Sequence, residues 1–182
     1  MKNVLHILDS FGIGGVECLC KDIAIKSHLN NYFITVHSSG VIGEELTKSG
    51  YHVINIGKSN LHFFVIIQKI LTFCELHKID VIVLHQPIIL LYMVLPYLKN
   101  RLKQTKIVLY FHCNACYLHG IKDRLFFNIK KKIVKMAIIH ADKVIAVSNS
   151  VKISIYEYYN VKRNIDVMYN GIDIGKFKPR SI

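Results

Sequence analysis

Two stretches of the sequence carry residues whose types and spacing could do chemistry. The first, Gly12-Ile13-Gly14-Gly15-Val16-Glu17, follows an apolar run at residues 4–8 and opens a segment with helical periodicity. A glycine loop between a strand and a helix presents backbone N–H groups to a phosphate or another anion. The second, Phe111-His112-Cys113-Asn114-Ala115-Cys116, ends another apolar run. Its Cys-x-x-Cys spacing, with His112 and His119 as nitrogen donors, also invites a zinc or redox interpretation.

The glycine spacing argues against two common nucleotide-binding motifs. A dinucleotide fingerprint G-x-G-x-x-G would need glycine at position 17, which is Glu17, and no acidic residue ends the second predicted strand to hold a ribose. Gly57-Lys58-Ser59 imitates the end of a P-loop, but the upstream glycine would fall on His52. A tight strand-to-helix turn without a ligand stays open as the alternative explanation of Gly14 and Gly15.

The cysteine and histidine content does not predict a metal site. Only one Cys-x-x-Cys pair is present, and no thioredoxin-like order of elements surrounds it. His85, at the end of another apolar run, is a weaker candidate for the same crevice, because a lone strand histidine is often a hydrogen-bonded structural residue. The remaining histidines are expected at the surface or in turns. We therefore expect neither a metal nor a resident cofactor.

The elements that must position these residues follow from hydrophobic periodicity. Strand-length apolar runs cover residues 4–8, 32–37, 52–56, 80–85, 106–112, 143–147 and 165–169. Helix-period segments cover residues 16–29, 43–48, 61–77, 87–98, 123–140 and 149–159. This alternation predicts an α/β fold with a Rossmann-like, doubly wound parallel sheet of about seven strands. Because such sheets bind ligands at the carboxyl ends of their strands, the glycine loop and His112 are predicted to face one crevice.

Composition agrees with one globular domain that meets an anionic partner. The chain has 182 residues, of which 52% are hydrophobic and 20% charged, enough for a substantial core. Its net charge of +12 predicts phosphate, nucleic acid or an anionic membrane surface as a partner. The start of the sequence does not resemble a signal peptide, and an odd number of cysteines does not resemble a disulfide scaffold. We therefore expect a cytoplasmic chain with reduced thiols.

The predicted helix at residues 123–140 combines an apolar stripe with a lysine cluster. The stripe consists of Phe126, Ile129, Ile133 and Met136, and the cluster of Lys130, Lys131, Lys132 and Lys135. A solvated charged face is one explanation of the cluster. Peripheral attachment to anionic lipid at the inner face of the membrane is the other, with about 1 kcal/mol from each lysine. Nucleic acid is not expected, because no recognition motif accompanies the charge.

The closing segments carry a family resemblance. Ala141-Asp142-Lys143-Val144-Ile145-Ala146-Val147-Ser148-Asn149-Ser150 and Val167-Met168-Tyr169-Asn170-Gly171-Ile172-Asp173, with Phe177 and Pro179, resemble the end of the N-terminal domain of family 4 glycosyltransferases of the GT-B fold. With the glycine loop and His112, the resemblance covers essentially the whole chain. The sequence departs from the family at Cys18, where many members have arginine, and at Cys113-Asn114, where aspartate is common.

The resemblance implies the acceptor-side half of a retaining hexosyltransferase that uses a nucleotide-sugar donor, usually without a metal. Residues 1–178 would form this domain, and residues 179–182 would begin the linker to a donor-binding domain. Nine residues follow Asp173, and none is acidic, so the glutamate pair of that second domain is missing. We therefore expect little transferase activity and weak nucleotide binding from this chain alone.

The resemblance also implies roles for individual residues. Gly14 and Gly15 would approach the donor phosphates, and His112 would hydrogen-bond the donor sugar near the reacting carbon. Glu17 and Ser148 would line the cleft or hold the acceptor. The acceptor would be a lipid-linked or saccharide precursor of a cell-surface polysaccharide or glycolipid. The alternative is a non-catalytic, membrane-associated binding module or partner subunit with half of a GT-B fold.

Overall fold

Strands and helices alternate along the chain in the computed structural model, which describes residues 1–57, 63–85, 87–115 and 124–171. The strands are β1 Asn3–Ser10, β2 Asn30–Ser38, β3 His52–Asn55, β4 Val81–His85, β5 Lys106–Phe111, β6 Lys143–Ala146 and β7 Asp166–Val167. The helices are α1 Gly15–Lys26, α2 Gly40–Lys48, α3 Phe63–Leu76, α4 Ile89–Met93, α5 Leu95–Arg101, α6 Arg124–His140 and α7 Asn149–Tyr159. The predicted domain boundary at residue 178 lies outside the described residues.

The seven strands form one parallel sheet in the order β3-β2-β1-β4-β5-β6-β7. This confirms the predicted Rossmann-like, doubly wound fold. The chain builds the sheet outward from β1 in one direction and then from β4 in the other, so the strand order reverses between these two strands. Open α/β sheets bind ligands at such a switch point, outside the carboxyl ends of the strands.

The two faces of the sheet carry separate hydrophobic clusters. Alternate β1 residues Leu5 and Ile7 belong to a large cluster that includes side chains from α3 to α7. On the opposite face, Leu8 and Phe33 pack with residues of α1 and α2 in a smaller cluster. We call this second side the α1 face. Side chains at even positions of β1 point to it, because successive strand residues alternate between the two faces.

Strand β1 is longer than the sequence predicted. The apolar run predicted a strand at residues 4–8, but the strand continues to Ser10 through an irregularity in its pairing with β2. The Phe11 N–H then donates to the Ser38 carbonyl (3.1 Å). The loop that follows β1 therefore stays attached to the end of β2.

Two predicted helices differ in the structure. The helix expected at residues 87–98 is split into α4 and α5 at Val94, and Pro96 stands in the first turn of α5, where its missing N–H costs nothing. In α6, the described residues of the apolar stripe do not share one environment. Ile133 packs against the core, but Ile129 is 47% exposed, whereas Val134, Ala137 and Ile138 are buried. The Phe126 side chain lies outside the described part.

Among the described helices, none combines the length and the apolar character that a membrane span requires.

Candidate functional site

The start of α1 leaves backbone donors open at the carboxyl edge of the sheet. Gly14 is the N-cap residue, in an extended conformation, and its carbonyl accepts the first helical hydrogen bond from the Cys18 N–H (2.9 Å). The N–H groups of the first helical turn have no acceptor within the helix, and the helix dipole makes this end positive. Gly15, the first helical residue, is exposed. The loop can therefore bind an anion through its backbone.

A glycine outside the predicted site holds this loop in place. Gly40, at the start of α2, has a φ of +56°, and a Cβ there would overlap the carbonyl of Phe11. The same carbonyl accepts a hydrogen bond from the Ile42 N–H (3.2 Å). Only glycine combines the left-handed backbone with such a close approach. The start of α2 thus supports the segment that leads into the glycine loop (residues 12–15).

Glu17 lies at the same helix start. A Cβ on Gly14 would collide with the Glu17 carboxylate, so this carboxylate lies against the backbone of the N-cap residue. An acidic group in the first turn of a helix is stabilised by the helix dipole. A bound anion and this carboxylate would repel each other, so the two compete for the same positive helix end.

A row of polar side chains crosses the α1 face diagonally. It consists of Asn31 on β2, His6 on β1, His85 on β4 and His112 just beyond β5, and we call these four residues the histidine row. In the register of neighbouring strands, each member lies two residues nearer the carboxyl edge than the member before it. Because side chains alternate with a period of two, all four point to the same face. The row rises from the buried sheet to the edge where the glycine loop begins.

Hydrogen bonds connect the row from end to end. His6 Nε2 lies 3.1 Å from Asn31 Oδ1, and His6 Nδ1 lies 2.9 Å from His85 Nε2. His85 Nδ1 lies 3.0 Å from His112 Nε2. Each pair of neighbouring imidazole rings is nearly coplanar, at 28° and 22°, with centroids 5.2 Å apart. The bonded nitrogens therefore lie between the ring centres, so the rings meet head to tail.

The row ends in an acceptor or donor without a partner. His112 Nδ1 is shielded from solvent and has no hydrogen-bond partner among the described residues. The Tyr110 ring packs against the imidazole at a centroid distance of 4.2 Å, and the Tyr110 hydroxyl donates to the Met168 carbonyl (3.1 Å). A shielded polar atom left unpaired costs about 1–3 kcal/mol. Such an atom at the edge of a sheet is therefore a candidate contact for a ligand.

Burial keeps the three imidazoles neutral. Burial lowers the pKa of His6 to about 4, although the Asn31 hydrogen bond opposes this shift. Burial also lowers the pKa of His112 to about 4. The pKa of His85 is lowered by burial and by its two histidine neighbours. At neutral pH each ring therefore has one N–H and one lone pair.

His6, His85 and Cys20 come close enough to suggest a metal site, with their donor atoms within 4.8 Å of one another. Their geometry does not fit one. Metal ligands direct their lone pairs at a common point, whereas the bonded nitrogens of His6 and His85 point at each other. Burial also raises the pKa of the Cys20 thiol, so the thiolate that binds metals is disfavoured. The Cys20 Sγ, 3.6 Å from His85 Nε2, is instead a weak neighbour of the row.

Of the predicted site residues, the glycine loop and His112 lie at the same edge of the sheet, whereas His85 is buried and Ser148 lies farther along that edge. The glycine loop follows β1, and His112 follows β5, with β4 between them at the same edge of the sheet. His85 was expected to line the crevice, but it is 1% exposed and lies behind His112. Ser148 lies beyond β6, where its side chain accepts a hydrogen bond from the Val151 N–H (3.2 Å) and caps α7.

The lysine cluster of α6 does not form one face. At about 100° per helical residue, Lys130 and Lys132 lie about 200° apart. Lys131 places its Nζ 4.8 Å from the centroid of the Tyr158 ring of α7. Lys132 is exposed, whereas Lys130 and Lys135 are half-buried. A flat surface could therefore not touch all four side chains at once.

Neither His6 nor Asn31 was predicted as a site residue. The histidines other than His85, His112 and His119 were expected at the surface or in turns. His6 is only 3% exposed and Asn31 6%. The signal available was a polar side chain inside the otherwise apolar run at residues 4–8. Of the zinc or redox donors that the Cys-x-x-Cys spacing suggested, Cys116 and His119 lie outside the described residues.

Comparisons with known proteins agree with this fold. The family model named Glycosyltransferase Family 4 matches residues 13–176. The crystal structure of Anabaena Alr3699/HepE in complex with UDP and glucose superposes with a TM-score of 0.72 at 17% identity, over 96% of this chain and 46% of that one. A glycosyltransferase from Rickettsia africae ESF-5 superposes with a TM-score of 0.68 at 21% identity, over 100% of this chain and 46% of that one. No curated protein sequence is significantly similar to the chain.

These structural neighbours share the fold of the whole chain over less than half of their own length. The chain therefore spans about half the length of each of these structures.

Proposed function

The chain belongs to glycosyltransferase family 4, and from that premise we propose that its crevice takes part in transfer of a sugar from a nucleotide diphosphate. In this proposal, the backbone at Gly14 and Gly15 approaches the donor phosphates, and His112 hydrogen-bonds the donor sugar. The observation that carries it is the unpaired, shielded His112 Nδ1 at the same sheet edge as the open N–H groups of α1.

The chemistry suits backbone donors at a helix start. As the nucleotide departs, negative charge grows on its diphosphate. Preorganised N–H groups stabilise charge where it develops, because they need no reorganisation during the reaction. The family mechanism retains the anomeric configuration and passes the proton of the acceptor hydroxyl to the departing phosphate. No protein side chain is then needed as a general base, which agrees with a His112 that burial keeps from accepting a proton.

A nucleotide sugar is the proposed donor. The HepE structure contains UDP and glucose, which makes UDP-glucose the first compound to test. Glu17 competes with the diphosphate at the helix start, so its proposed role is to hold the loop or the acceptor. Ser148 retains a hydroxyl hydrogen while it caps α7 and could contact the acceptor at the same edge.

The acceptor is proposed to be a lipid-linked or saccharide precursor of a cell-surface polysaccharide or glycolipid. The net charge of +12 supports approach to an anionic surface. Contact of the α6 lysines with anionic lipid, which would make the chain peripheral at the inner face of the membrane, stays a prediction. The geometry of α6 limits this contact to part of the cluster.

Full activity is proposed to require a second domain. The chain spans 46% of each structural neighbour described above. The other half would provide most of the nucleotide contacts, so the affinity of this chain for a nucleotide sugar should be weak.

Amide NMR tests the proposed donor site. We expect millimolar UDP-glucose to shift the N–H signals of Gly15, Val16 and Glu17, while glucose alone leaves them unchanged. Calorimetry with the same ligand should show no micromolar binding. Signals that move only on the opposite edge of the sheet would contradict the site, and micromolar binding by this chain would contradict the need for a second domain.

A further inference from the structure

We infer that Asn31, His6 and His85 are positioning residues that fix the tautomer of His112, so that His112 offers the crevice a hydrogen-bond acceptor at Nδ1. This inference rests on the proposed function for its ligand, but the tautomer itself does not depend on any ligand.

The amide of Asn31 fixes the donor-to-acceptor direction of the hydrogen bonds along the histidine row. Its Nδ2 donates to the Leu29 carbonyl (3.2 Å) and to the Ser27 hydroxyl (2.8 Å). A carbonyl can only accept, so the orientation of this amide is fixed. The atom that faces His6 is therefore Asn31 Oδ1, which is also only an acceptor. His6 must place its N–H on Nε2.

Each neutral ring passes this direction to the next. With its N–H on Nε2, His6 accepts at Nδ1, so His85 must donate from Nε2. His85 then accepts at Nδ1, so His112 must donate from Nε2. The Nδ1 of His112 remains as a bare lone pair. The logic holds while the three imidazoles are neutral, and their burial favours that state.

The surroundings of the row support a fixed arrangement. The Phe33 ring lies against His6 at a centroid distance of 5.2 Å and an angle of 20°. The neighbouring Cys20 thiol can accept weakly from His85 Nε2–H, which leaves the direction unchanged. His6 and His85 are bonded at both nitrogens, so neither ring can flip without losing two hydrogen bonds. A reversal would also bring two acceptors together at Asn31.

The tautomer of His112 decides which ligand atoms its Nδ1 can bind. A bare Nδ1 binds a hydroxyl or amine, which donates, and disfavours a carboxylate or phosphate oxygen, which would bring a second lone pair. His112 would thus accept a hydrogen bond from a sugar hydroxyl, and the glycine loop would bind the diphosphate. The sugar and the diphosphate of one donor would therefore contact an acceptor and a set of N–H donors at the same edge of the sheet.

Nitrogen NMR of the histidine side chains tests the tautomers directly. In the chain labelled with ¹⁵N-histidine, long-range proton–nitrogen correlations distinguish N–H nitrogens from bare ones. His6→Gln, His85→Gln and His112→Gln assign the three rings. At pH 7 we expect all three to carry the proton on Nε2 and to show a bare Nδ1. A proton on His112 Nδ1, or a charged His112, would overturn the inference.

Removing the acceptor at the buried end is the second test. In Asn31→Leu, nothing fixes the proton of His6 on Nε2, so the hydrogen bonds of the row can run in either direction and His112 should show a mixture of bare and protonated Nδ1. Asn30→Leu is the matched control, since Asn30 is exposed and bonds Asn3 instead; it should leave the His112 pattern unchanged. A folded Asn31→Leu variant in which His112 keeps a fully bare Nδ1 would overturn the inference, and if this variant does not fold, the wild-type spectrum alone settles the tautomer.

Titration with UDP-glucose separates this inference from the proposed function. In the wild-type chain the Nδ1 signal of His112 should shift as a sugar hydroxyl donates to it, and in Asn31→Leu that shift should be smaller, because part of the His112 population then carries a proton on Nδ1. If the wild-type tautomers are as expected but no nucleotide sugar moves His112, the donor site fails while the positioning role stands. If the tautomers are reversed, the positioning role fails whatever the donor does.

Discussion

The two sides of the crevice are built in opposite ways. The glycine loop is a short, local segment whose proposed ligand-binding groups belong to the backbone, and its one side chain, that of Ile13, is exposed. The histidine row takes one side chain from each of four segments, and three of these side chains are buried. It connects residues up to 79 positions apart. The loop is open to a ligand before one arrives, whereas the row gives its terminal imidazole a fixed orientation from inside the sheet. A charged part of a ligand suits the first side, and a neutral hydroxyl suits the second.

The largest expected difference between the two sides is the response to acid. Burial lowers the pKa of His6 to about 4, so between pH 6.5 and 4 the unfolded chain holds a proton that the folded chain lacks. Stability should therefore fall as the pH falls through this window. His6 alone should account for about 2 kcal/mol at pH 5, and His85 and His112 should add to it. Urea unfolding at pH 7 and pH 5 measures the effect.

Variants sharpen this prediction. His6→Gln should be less sensitive to pH by about 2 kcal/mol over that interval. His28→Gln, at an exposed histidine, should keep the wild-type dependence. Equal pH dependence in wild type and His6→Gln would show that the row is not a buried neutral network.

The next effect concerns the support of the glycine loop. Gly40→Ala should lower the free energy of unfolding by about 2–3 kcal/mol, because it combines a strained backbone with a collision at the Phe11 carbonyl. Gly50→Ala is the matched control, since Gly50 has a φ of +87° but open space around its Cβ position. Its cost should be about 1 kcal/mol from strain alone. Similar losses in the two variants would mean that the contact with Phe11 does not position the loop.

A smaller effect separates ligand binding from folding at the loop itself. No atom lies within 4 Å of a Cβ built on Gly15, so Gly15→Ala should change stability by less than about 1 kcal/mol. The added methyl group should nevertheless obstruct the diphosphate and weaken UDP binding about fivefold, or about 1 kcal/mol. Titration of both chains with UDP, followed by amide NMR, compares them. Cys18→Ala, on the exposed side of α1, should bind as wild type does; unchanged binding by Gly15→Ala would place the diphosphate elsewhere.

The smallest expected effect lies away from both sides, on α6. Exposed Lys132 should contribute at most about 1 kcal/mol to binding of anionic vesicles. Lys131 packs on Tyr158 and should contribute less. Flotation of Lys132→Gln and Lys131→Gln with vesicles that contain anionic lipid measures the difference. Equal flotation of both variants and of the chain with all four lysines exchanged for Gln would leave the cluster as a solvated surface.

The contrast between the two sides also explains what the sequence could predict. The order of elements and the parallel sheet follow from hydrophobic periodicity, which is local. The glycine loop was recognisable because its residues are consecutive. His6 and Asn31 gave no such signal, because their partnership depends on strand register and on the order of strands in the sheet. Strand register and order also explain why His85 is buried behind His112 and does not line the crevice.

The packed face of α6 did not follow from its apolar stripe. Ile129 of the stripe is exposed, whereas Ile133 packs against the core and the small residue Ala137 is buried. The sequence does not show which helix face meets a neighbour, because that depends on the packing of distant elements.

One comparison of ligands tests most directly whether the two sides bind two parts of one donor. Dissociation constants for UDP and UDP-glucose can be measured by NMR titration of the wild-type chain and of His112→Ala. We expect His112→Ala to weaken binding of UDP-glucose severalfold and to leave binding of UDP unchanged. Equal weakening of both ligands, or no change for either, would contradict it.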